Sequence, residues 1–378
     1  MRITYISGAQ IPSLTANSIH VMKMAQALSQ EGHAVELLVP RGTGGLRMPG
    51  QDLWHHYGIK TPFSIRWISS PAFPARAYQI RAIWYVRNNR ADLVYTRGLD
   101  VAAACAVLAI PTICELHDSP GGKFGPFYFR LFLTGQGFRR LVVISQALRD
   151  SLAKRYPALL RDKQVIVAPD GVDLERFEGL PDSVQARRQL QLNEGSFTVG
   201  YTGHLYAGRG IDLMLQLAHR CPKIQFLIVG GQPDAVAVRV RECLERGLGN
   251  VRFTGFVENA DLPLYQAACD VLLLPHQKRV AASGGGDISG VCSPMKMFEY
   301  MATGRLIIAS DLPVLREVLN DHNAVLCNPE DVAAWQSALE RAISDPKWRH
   351  SLGRQARQDV EQYTWQRRVR KVLAGCCA

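Results

Sequence analysis

At 378 residues, 47% of them hydrophobic, the chain is too long for one average globular core and too apolar to be disordered. Its nine cysteines include no Cys-x-x-Cys pair, which argues against a zinc site and a disulfide framework and for reduced thiols. The net charge of +11 is uneven, because residues 1–175 hold 20 Lys and Arg against 12 Asp and Glu, a net +8.

This basic half fits an anionic partner, such as a phospholipid surface, a pyrophosphate-linked acceptor or a nucleic acid. Nucleic acid is the least favoured of the three, since no zinc spacing or known recognition module accompanies the charge. Residues 1–8 show no secretory signal, and polar residues interrupt every run that could span a membrane. We therefore expect a cytoplasmic protein, with peripheral association at the inner face of the plasma membrane as a further possibility.

The first half of the sequence alternates short apolar runs with helical patterns, which is typical of a parallel sheet. Residues 3–7 indicate a strand, residues 18–30 a helix and residues 34–39 the next strand, and the apolar run 101–110 indicates a buried helix. We predict one doubly wound domain over residues 1–180. Its further strands are predicted at residues 93–95, 112–115, 141–144 and 165–167.

Residues 123–133 mix aromatic and basic side chains, with Arg139 and Arg140 just beyond. Helices that lie on a membrane surface have this composition. A core helix with basic ends is the alternative, and the sequence does not decide between them.

A polar stretch follows residues 169–173, and the alternation then restarts at residues 197–202. We predict a second doubly wound domain over residues 195–361, while a terminal helix within residues 362–378 packs back on the first domain. The fold class is thus α/β, with two Rossmann-like domains facing an interdomain cleft that holds the active site. The remaining strands are predicted at residues 224–229, 251–254, 271–274, 306–309 and 324–327, and helices at residues 331–343, 348–360 and 365–373.

The most informative segment is residues 293–304, which predicts a helix that begins at Pro294 and ends at Gly304. Lys296 and Glu299 stand three residues apart and therefore share one face. A helix start attracts phosphate through its free N–H groups, and a carboxylate can accept both ribose hydroxyl protons. The segment therefore suits a nucleoside diphosphate, although a surface ion pair on an ordinary helix explains it equally well.

Further loops are expected at the ends of predicted strands, at residues 8–18, 115–118, 203–210 and 284–289. Together with the turn at residues 32–35 and the segments 170–173, 254–257 and 294–313, they give the chain a resemblance to family 4 glycosyltransferases of the GT-B fold. The resemblance covers essentially the whole chain. It implies a retaining enzyme that moves a sugar from a nucleotide diphosphate donor to an acceptor.

By this resemblance, Glu299 corresponds to the last carboxylate of the family's Glu-x7-Glu motif and binds the donor ribose. The first carboxylate is replaced by Val291. Asp287 is a candidate substitute for holding the donor sugar, and a loop or capping aspartate is the alternative role. Backbone groups from Gly290 to Pro294 are expected to contribute.

The resemblance also places the donor diphosphate beside the 203–210 loop. His204 and Arg209 stand where the family normally has Arg and Lys, and Lys296 and Ser293 complete the expected diphosphate site. The loop is not a Walker A sequence, because Arg209 and Gly210 replace the Lys-Ser/Thr ending. Phe256 and Val257 are expected beside the base.

In the first domain, the resemblance implies that His117 lines the site beside the donor sugar. Asp118 either positions the acceptor or only stabilises the loop. The small residues that approach the pyrophosphate and the acceptor are Thr15, Ala16, Asn17 and Ser18, and Asn17 or Ser18 can also cap the first helix.

The expected reaction is transfer from a UDP- or GDP-sugar to a glycan or polyprenyl-linked acceptor, in cell-envelope or exopolysaccharide synthesis. The chain has no Asp-x-Asp sequence, so we expect neither a metal nor another cofactor. A nucleotide-sugar epimerase and a non-catalytic partner subunit remain alternatives. A dehydrogenase is disfavoured, since no Gly-x-Gly-x-x-Gly follows the first strand.

Overall fold

The computed structural model describes residues 1–41, 50–69, 74–281 and 286–376. The chain divides into two compact units: unit 1 comprises residues 1–170 and those from Trp365 onward, and unit 2 comprises Gly171–Thr364. Each unit is a parallel sheet with helices between successive strands. The predicted α/β class with two doubly wound domains is confirmed.

Unit 1 contains a seven-stranded sheet in the order β3-β2-β1-β4-β5-β6-β7, with every pair parallel. The strands are almost fully buried except at the edge, so their sequences are continuous apolar runs. The strands are β1 (Arg2–Ile6), β2 (Ala34–Pro40), β3 (Ser64–Ile68), β4 (Leu93–Thr96), β5 (Thr112–Leu116), β6 (Phe138–Val143) and β7 (Val165–Val167).

The helices of unit 1 fill the connections between its strands, as right-handed crossovers of a parallel sheet require. They are α1 (Ala16–Gln30), α2 (Gly50–Tyr57), α3 (Pro74–Asn89), α4 (Leu99–Val107), α5 (Gly125–Thr134), α6 (Gln146–Arg155) and the short α7 (Pro157–Leu160). Thr15 caps α1, since its hydroxyl accepts a hydrogen bond from the Ser18 N–H at 3.3 Å.

The edge strand β3 and helices α2 and α3 were not predicted from the sequence. The five side chains of β3 are half-buried or exposed, so the strand has no apolar run to mark it. It is recognised by its parallel pairing with β2. The other strands were predicted from the apolar runs that burial requires, and burial is weakest at such an edge.

Unit 2 contains a six-stranded parallel sheet in the order β10-β9-β8-β11-β12-β13. Its strands are β8 (Thr198–Thr202), β9 (Gln225–Val229), β10 (Val251–Gly255), β11 (Val271–Leu274), β12 (Leu306–Ser310) and β13 (Val325–Cys327). Its helices are α8 (Ser183–Gln189), α9 (Ile211–Arg220), α10 (Pro233–Glu245), α11 (Leu262–Ala267), α12 (Met295–Thr303), α13 (Val332–Ser344) and α14 (Pro346–Asp359).

Helix α12 has the bounds that its sequence predicts. Pro294 occupies the N-cap position, and Gly304 ends the helix in the left-handed conformation with φ 67°. Glycine adopts that conformation without the steric cost that a Cβ would add. The chain then enters the buried strand β12 directly.

The last helix, α15 (Trp365–Leu373), belongs to unit 1 although it follows unit 2 in the sequence. Its Trp365, Val369 and Val372 are buried against the unit, and Trp365 lies edge-on to His20 of α1. The Arg140 guanidinium donates a hydrogen bond of 2.7 Å to the Ala374 carbonyl just beyond the helix. This docking places Arg368 in the interior of unit 1.

Among the described residues, none of the helices has both the length and the apolar character needed to cross a bilayer.

Candidate functional site

Two cations lie close together at the carboxyl end of the unit 2 sheet. Lys296 belongs to the first turn of α12, and its ammonium lies 3.9 Å from the centroid of the Tyr201 ring. Arg209 comes from the loop after β8. Within the described residues, neither cation forms an ion pair with a carboxylate. Unit 2 therefore holds a local excess of positive charge that an anion would stabilise.

The electrostatics of Lys296 reflect this excess. Burial lowers its pKa well below the usual value, and the charge of Arg209 lowers it further, against an opposing effect of Glu299. A bound anion would oppose both of the lowering effects.

A buried histidine holds Arg209. His276 follows β11 by two residues, and its Nε2 lies 3.1 Å from the Arg209 guanidinium. Because a guanidinium can only donate, the ring accepts through Nε2 and carries its proton on Nδ1. Burial, and then the charges of Arg209 and Lys296, lower the pKa of His276 well below its usual value. His276 is therefore a neutral support that orients Arg209 without adding charge.

The 203–210 loop approaches Lys296 closely at its first residue, where an added Cβ would force the lysine side chain to shift. A Cβ at Gly203 would lie 2.4 Å from Lys296 Nζ, and the residue has φ +136°. The next residue, His204, stacks its ring on Tyr206 with centroids 4.7 Å apart and planes 6° apart. The structure thus places Arg209 near Lys296, as predicted for the diphosphate site. The His204 ring instead stacks on Tyr206.

Glu299 lies one turn after Lys296 on α12 and has two polar neighbours. Its Oε2 accepts a hydrogen bond of 3.2 Å from the Gln266 amide, and its Oε1 lies 3.8 Å from the Arg176 guanidinium. The side chain is largely buried. An ionised carboxylate has about four acceptor positions, so these contacts leave capacity for further donors such as ribose hydroxyls.

The loop before α12 is organised by Asp287. Its Oδ1 accepts backbone hydrogen bonds from Val280 at 3.0 Å and Ser289 at 2.9 Å. These two bonds lower the pKa of the exposed carboxyl group. Asp287 thus stabilises the loop, and a contact with the donor sugar stays a prediction.

The other predicted donor residues surround this helix start or follow β10. Gly290 and Ser293 lie in the turns that lead to Pro294, and Phe256 and Val257 come directly after β10. The Phe256 side chain is exposed. Residues 284 and 285 of the predicted loop lie outside the described residues.

In unit 1, a charged cluster surrounds Glu115 at the end of β5. Glu115 Oε1 contacts His117 Nε2 and lies 3.0 Å from His20 Nε2. Its Oε2 lies 3.0 Å from an Arg368 nitrogen and accepts a hydrogen bond from the Tyr95 hydroxyl. Of the cluster, only His117 was predicted from the sequence as a site residue.

The cluster contains a second buried carboxylate, Asp170, whose Oδ1 lies 3.2 Å from His20 Nε2. Burial alone would raise the pKa values of Glu115 and Asp170. Burial is the largest single effect on each group, but charges and hydrogen bonds together outweigh it: those of Arg368, His20 and His117 act at Glu115, and those of His20, with the charges of His117 and Arg368, act at Asp170, so both pKa values are lowered. Both groups are therefore ionised at neutral pH.

The predicted loop residues Thr15, Ala16, Asn17 and Ser18 form the start of α1. The Asn17 side-chain oxygen accepts a hydrogen bond of 2.6 Å from Arg97, which follows β4. The Ser18 hydroxyl donates to the Thr15 carbonyl at 2.8 Å. Asp118, next to His117, is exposed and accepts a hydrogen bond from the Ser119 N–H at 2.7 Å. Arg97 thus lies beside two predicted segments, the start of α1 and His117.

Two family models match this sequence. The model described as Glycosyltransferase Family 4 matches residues 18–176, and the model described as Glycosyl transferases group 1 matches residues 182–359. The first match covers most of unit 1 and the first six residues of unit 2, the second lies within unit 2, and together they account for most of the chain. The chain belongs to glycosyltransferase family 4.

Several named proteins resemble this chain over nearly its full length. It is 24% identical to the phosphatidyl-myo-inositol mannosyltransferase of Mycolicibacterium smegmatis over 363 residues, which cover 92% of this chain and 86% of that protein. It is 21% identical to the GDP-mannose-dependent alpha-mannosyltransferase of Corynebacterium glutamicum, with 97% and 86% covered. The HepE protein of Anabaena, solved with UDP-glucose, has a TM-score of 0.75 at 16% identity, with 98% of each chain covered.

This family 4 glycosyltransferase, an enzyme that uses a nucleotide sugar, thus has its predicted donor residues in unit 2. The residues that surround the predicted site residues were not themselves predicted, because each comes from a distant part of the sequence: Arg176, Gln266 and His276 in unit 2, and Arg97 and Arg368 in unit 1. A polar residue just after a buried strand could have indicated Arg97 and His276.

The glycosyltransferase also has a group of side chains with metal-ligand chemistry, formed by His20, Glu115 and His117, whose ligand atoms lie within 4.8 Å of one another. Arg368 lies against the same carboxylate. A fixed guanidinium in direct contact with a ligand opposes binding of a divalent cation. The chemistry of the cluster therefore fits a hydrogen-bonded network better than a metal site.

Proposed function

We propose that the enzyme transfers a hexose from a UDP- or GDP-sugar to a glycan or polyprenyl-linked acceptor, with retention of configuration at the anomeric carbon. The observation that carries the proposal is the pair Arg209 and Lys296, two cations without a carboxylate partner among the described residues, at the start of α12. A diphosphate supplies the missing negative charge.

The proposed mechanism begins with cleavage of the bond between the anomeric carbon and the diphosphate oxygen. Positive charge develops on the sugar ring, and negative charge develops on the departing diphosphate. Arg209, Lys296 and the free N–H groups at the start of α12 stabilise that leaving group, because they are oriented before the reaction begins. The proposed role of Glu299 is to bind the ribose hydroxyls.

Retention of configuration is the stereochemical part of the proposal. The departing diphosphate is proposed to accept the proton of the incoming hydroxyl on the same face of the sugar, so the usual α-linked donor yields an α-linked product. The one-bond coupling constant between C1 and H1 of the transferred sugar, measured by NMR on the first product, distinguishes the α from the β anomer. A β-linked initial product would refute retention without affecting the assignment to the family.

We propose that transfer needs no bound metal. The proposal is supported by the absence of an Asp-x-Asp sequence and by the two cations already present at the predicted diphosphate site. Activity measured after exhaustive chelation is expected to equal that of the untreated enzyme. A loss that Mg²⁺ or Mn²⁺ restores would contradict the proposal.

The relatives support a cell-envelope role. The mycobacterial relative is named as a mannosyltransferase acting on phosphatidyl-myo-inositol, and the HepE structures contain UDP or UDP-glucose. GDP-mannose and UDP-glucose are therefore the first donors to test. The basic first half of the chain suits an acidic or membrane-bound acceptor.

A thermal-shift series of nucleoside diphosphates and nucleotide sugars tests the donor proposal, because a ligand that binds only the folded state raises the melting temperature. We expect stabilisation by either uridine or guanosine diphosphates, and its loss in Lys296→Met. The matched control is Lys278→Met, since Lys278 is an exposed lysine paired with Glu330. No stabilisation by any nucleotide would contradict the proposed donor and favour a non-catalytic partner subunit.

A further inference from the structure

Both carboxylate oxygens of Glu115 are engaged, and by different partners. Arg368 and the Tyr95 hydroxyl contact Oε2, with Arg368 at 3.0 Å. His117 and His20 contact Oε1, with His20 at 3.0 Å. Glu115 is fully buried, so these contacts replace all of its hydration. A buried carboxylate remains charged only with such compensation.

The charge of Glu115 determines the proton position on His117. An ionised carboxylate can only accept hydrogen bonds, so the His117 Nε2 that faces it must donate. The other ring nitrogen, Nδ1, makes no hydrogen bond with any residue that the structure describes. The His117 side chain is 23% exposed. A neutral ring held in this way presents Nδ1 as a hydrogen-bond acceptor.

Arg368 is itself held from several directions. Its Nε donates to the Pro169 carbonyl at 2.9 Å, and another nitrogen donates to the Ala168 carbonyl at 3.2 Å. A third contact joins it to the Met24 sulfur at 3.2 Å. These bonds fix the guanidinium in one orientation, and α15 supplies it from the far end of the sequence.

We propose that Glu115 and Arg368 are positioning residues that hold His117 as the Nε2–H tautomer, so that Nδ1 accepts a hydrogen bond from a hydroxyl of the sugar substrate. Arg368 keeps the carboxylate charged and in place, and Glu115 orients the ring. The tautomer is a property of the free protein, whereas its contact with a sugar hydroxyl rests on the proposed function.

The charged and titratable groups that face His117 are consistent with a neutral ring. They are Glu115 on β5, His20 on α1, Arg97 after β4 and Asp170 after β7, with Arg368 behind Glu115. Burial, and then the charge of Arg97, lower the pKa of His117 to about 4, against the opposing effect of Glu115. The ring is therefore neutral at physiological pH.

The direct test is ¹⁵N NMR of the histidine side chains in the full-length protein. The chain has ten histidines, and the His117 signals are identified by their loss in His117→Gln. We expect a neutral Nε2–H ring for His117 near pH 7. A ring protonated at Nδ1 alone, or at both nitrogens, would overturn the proposal. The tautomer itself is measured on the wild-type protein, and the variant serves only to assign the signals.

The kinetic test uses Glu115→Gln, which keeps the shape of the side chain and removes its charge. One hydrogen bond that is stronger in the transition state is equivalent to about a tenfold change in rate, so we expect kcat to fall about tenfold while the donor KM changes less than about threefold. The Nε2–H signature of His117 should disappear in the same variant. An unchanged kcat with an unchanged tautomer would refute the role of Glu115.

The chain offers a matched control for this variant. Glu36 on β2 is also held by an arginine and a tyrosine, with Arg66 at 2.8 Å and Tyr85 at 2.9 Å, but in the described part of the chain it has no hydrogen bond or ion pair with a histidine. Glu36→Gln should leave kcat and the His117 signals unchanged.

Arg368 is tested in parallel with its neighbour on α15. Arg368→Gln is expected to lower kcat and to alter the His117 signals, while Arg368→Lys, which keeps the charge, restores part of both. The control is Arg370→Gln, because Arg370 is exposed and paired with Glu31 at 2.7 Å. Equal effects of the two glutamine variants would contradict a specific role for Arg368.

The two proposals fail in different ways. If the wild-type protein transfers no sugar but shows the Nε2–H ring, the proposed function is wrong and the positioning of His117 stands. If sugar is transferred and the ring has the other tautomer, the proposed function stands and the positioning of His117 is wrong.

Discussion

At the scale of single residues, the charge of Lys296 is the feature that most constrains the donor site. Its ammonium lies 3.9 Å from the centroid of the Tyr201 ring and beside Arg209, on a half-buried side chain, without an ion-pair partner among the described residues. A charge that is partly removed from water and unpaired is costly. Binding of an anion offsets that cost.

We predict that binding of the nucleoside diphosphate is accompanied by proton uptake at pH values above the lowered pKa of Lys296 in the free enzyme. The diphosphate raises the lowered pKa of Lys296, so the complex retains a proton that the free enzyme has lost. Affinity should therefore fall as pH rises through the pKa of the free enzyme. Calorimetry in buffers of different ionisation enthalpy measures the uptake.

The control for this prediction again compares Lys296 with the exposed Lys278. Lys296→Met should abolish the proton uptake and weaken binding, whereas Lys278→Met should leave both unchanged. Proton uptake of the same size in Lys296→Met would show that another group titrates.

We predict that Glu299 makes the enzyme bind ribonucleotides more tightly than 2′-deoxy nucleotides. Hydrogen bonds to a charged group contribute about 1.5–3 kcal/mol, so 2′-deoxy nucleotides should bind wild type roughly tenfold or more weakly than ribonucleotides. In Glu299→Gln this discrimination should shrink, since the charged acceptor is gone. Titration calorimetry with both nucleotides measures the four affinities.

A matched control for Glu299 exists on α13. Glu340 also accepts a hydrogen bond from a glutamine, Gln336 at 2.9 Å, but is exposed. Glu340→Gln should keep the full discrimination. A wild-type enzyme that binds deoxy and ribose forms equally would refute the placement of the ribose.

The sequence indicated the chemistry of individual donor residues but not their neighbours. Lys296 and Glu299 could be predicted because they lie in one short helix, where spacing alone decides which face they share. Their contacts with Arg209, Arg176 and Gln266 involve separate elements, and spacing along the chain carries no information about those distances. His276 was missed for the same reason.

At the scale of elements, α5 has one buried side and one exposed side, so its burial does not decide between the two interpretations that the sequence left open for residues 123–133. Phe129, Phe132 and Leu133 are fully buried, whereas Phe124 and Phe127 are 53% and 57% exposed. The segment is therefore a core helix on one side and an exposed aromatic surface on the other. Lys123 and Arg130 are exposed in the same segment.

We predict that Phe124→Ser with Phe127→Ser weakens binding of the protein to vesicles that contain anionic lipid. Exposed aromatic side chains insert into the interface, and nearby cations are attracted to its charge. Co-sedimentation at moderate salt measures the bound fraction. The wild-type protein should bind, and raising the salt should reduce the binding.

The control uses two exposed apolar residues of α10 in unit 2. Val238→Ser with Leu244→Ser removes a comparable apolar surface, since these side chains are 63% and 77% exposed. The vesicle affinity of this variant should equal that of wild type. Failure of the wild-type protein to bind, or equal losses in both double variants, would contradict a membrane surface at α5.

At the scale of the whole molecule, the buried charges of unit 1 make its stability sensitive to acid. The native protein holds the pKa of His117 at about 4, below the ordinary value of 6.5, and holds the pKa values of Glu115 and Asp170 below their ordinary values. In each case the unfolded chain takes up the proton at higher pH than the folded protein does. Stability is therefore greatest above pH 6.5 and falls as pH decreases.

We predict that the free energy of unfolding of unit 1 falls between pH 6.5 and about 4 through His117, and falls further below that range through the two carboxyl groups. Urea unfolding as a function of pH measures the total. Hydrogen exchange assigns the loss to β5 and α15. His117→Gln should flatten the upper part of the profile, and the same change at the exposed His219 should not.

What the sequence determined by itself is the class of the molecule and the identity of its short motifs. The parallel strands were visible because burial on both faces requires continuous apolar runs, and α12 was visible because its cap residues and polar face lie within a dozen positions. Only the tertiary structure decided that α15 supplies Arg368 to the charged cluster of unit 1. Arg368 and Glu115 are far apart in the sequence, and their contact arises from the docking of α15 on α1. Such long-range contacts depend on how complete helices and strands pack, and a local sequence pattern does not predict that packing.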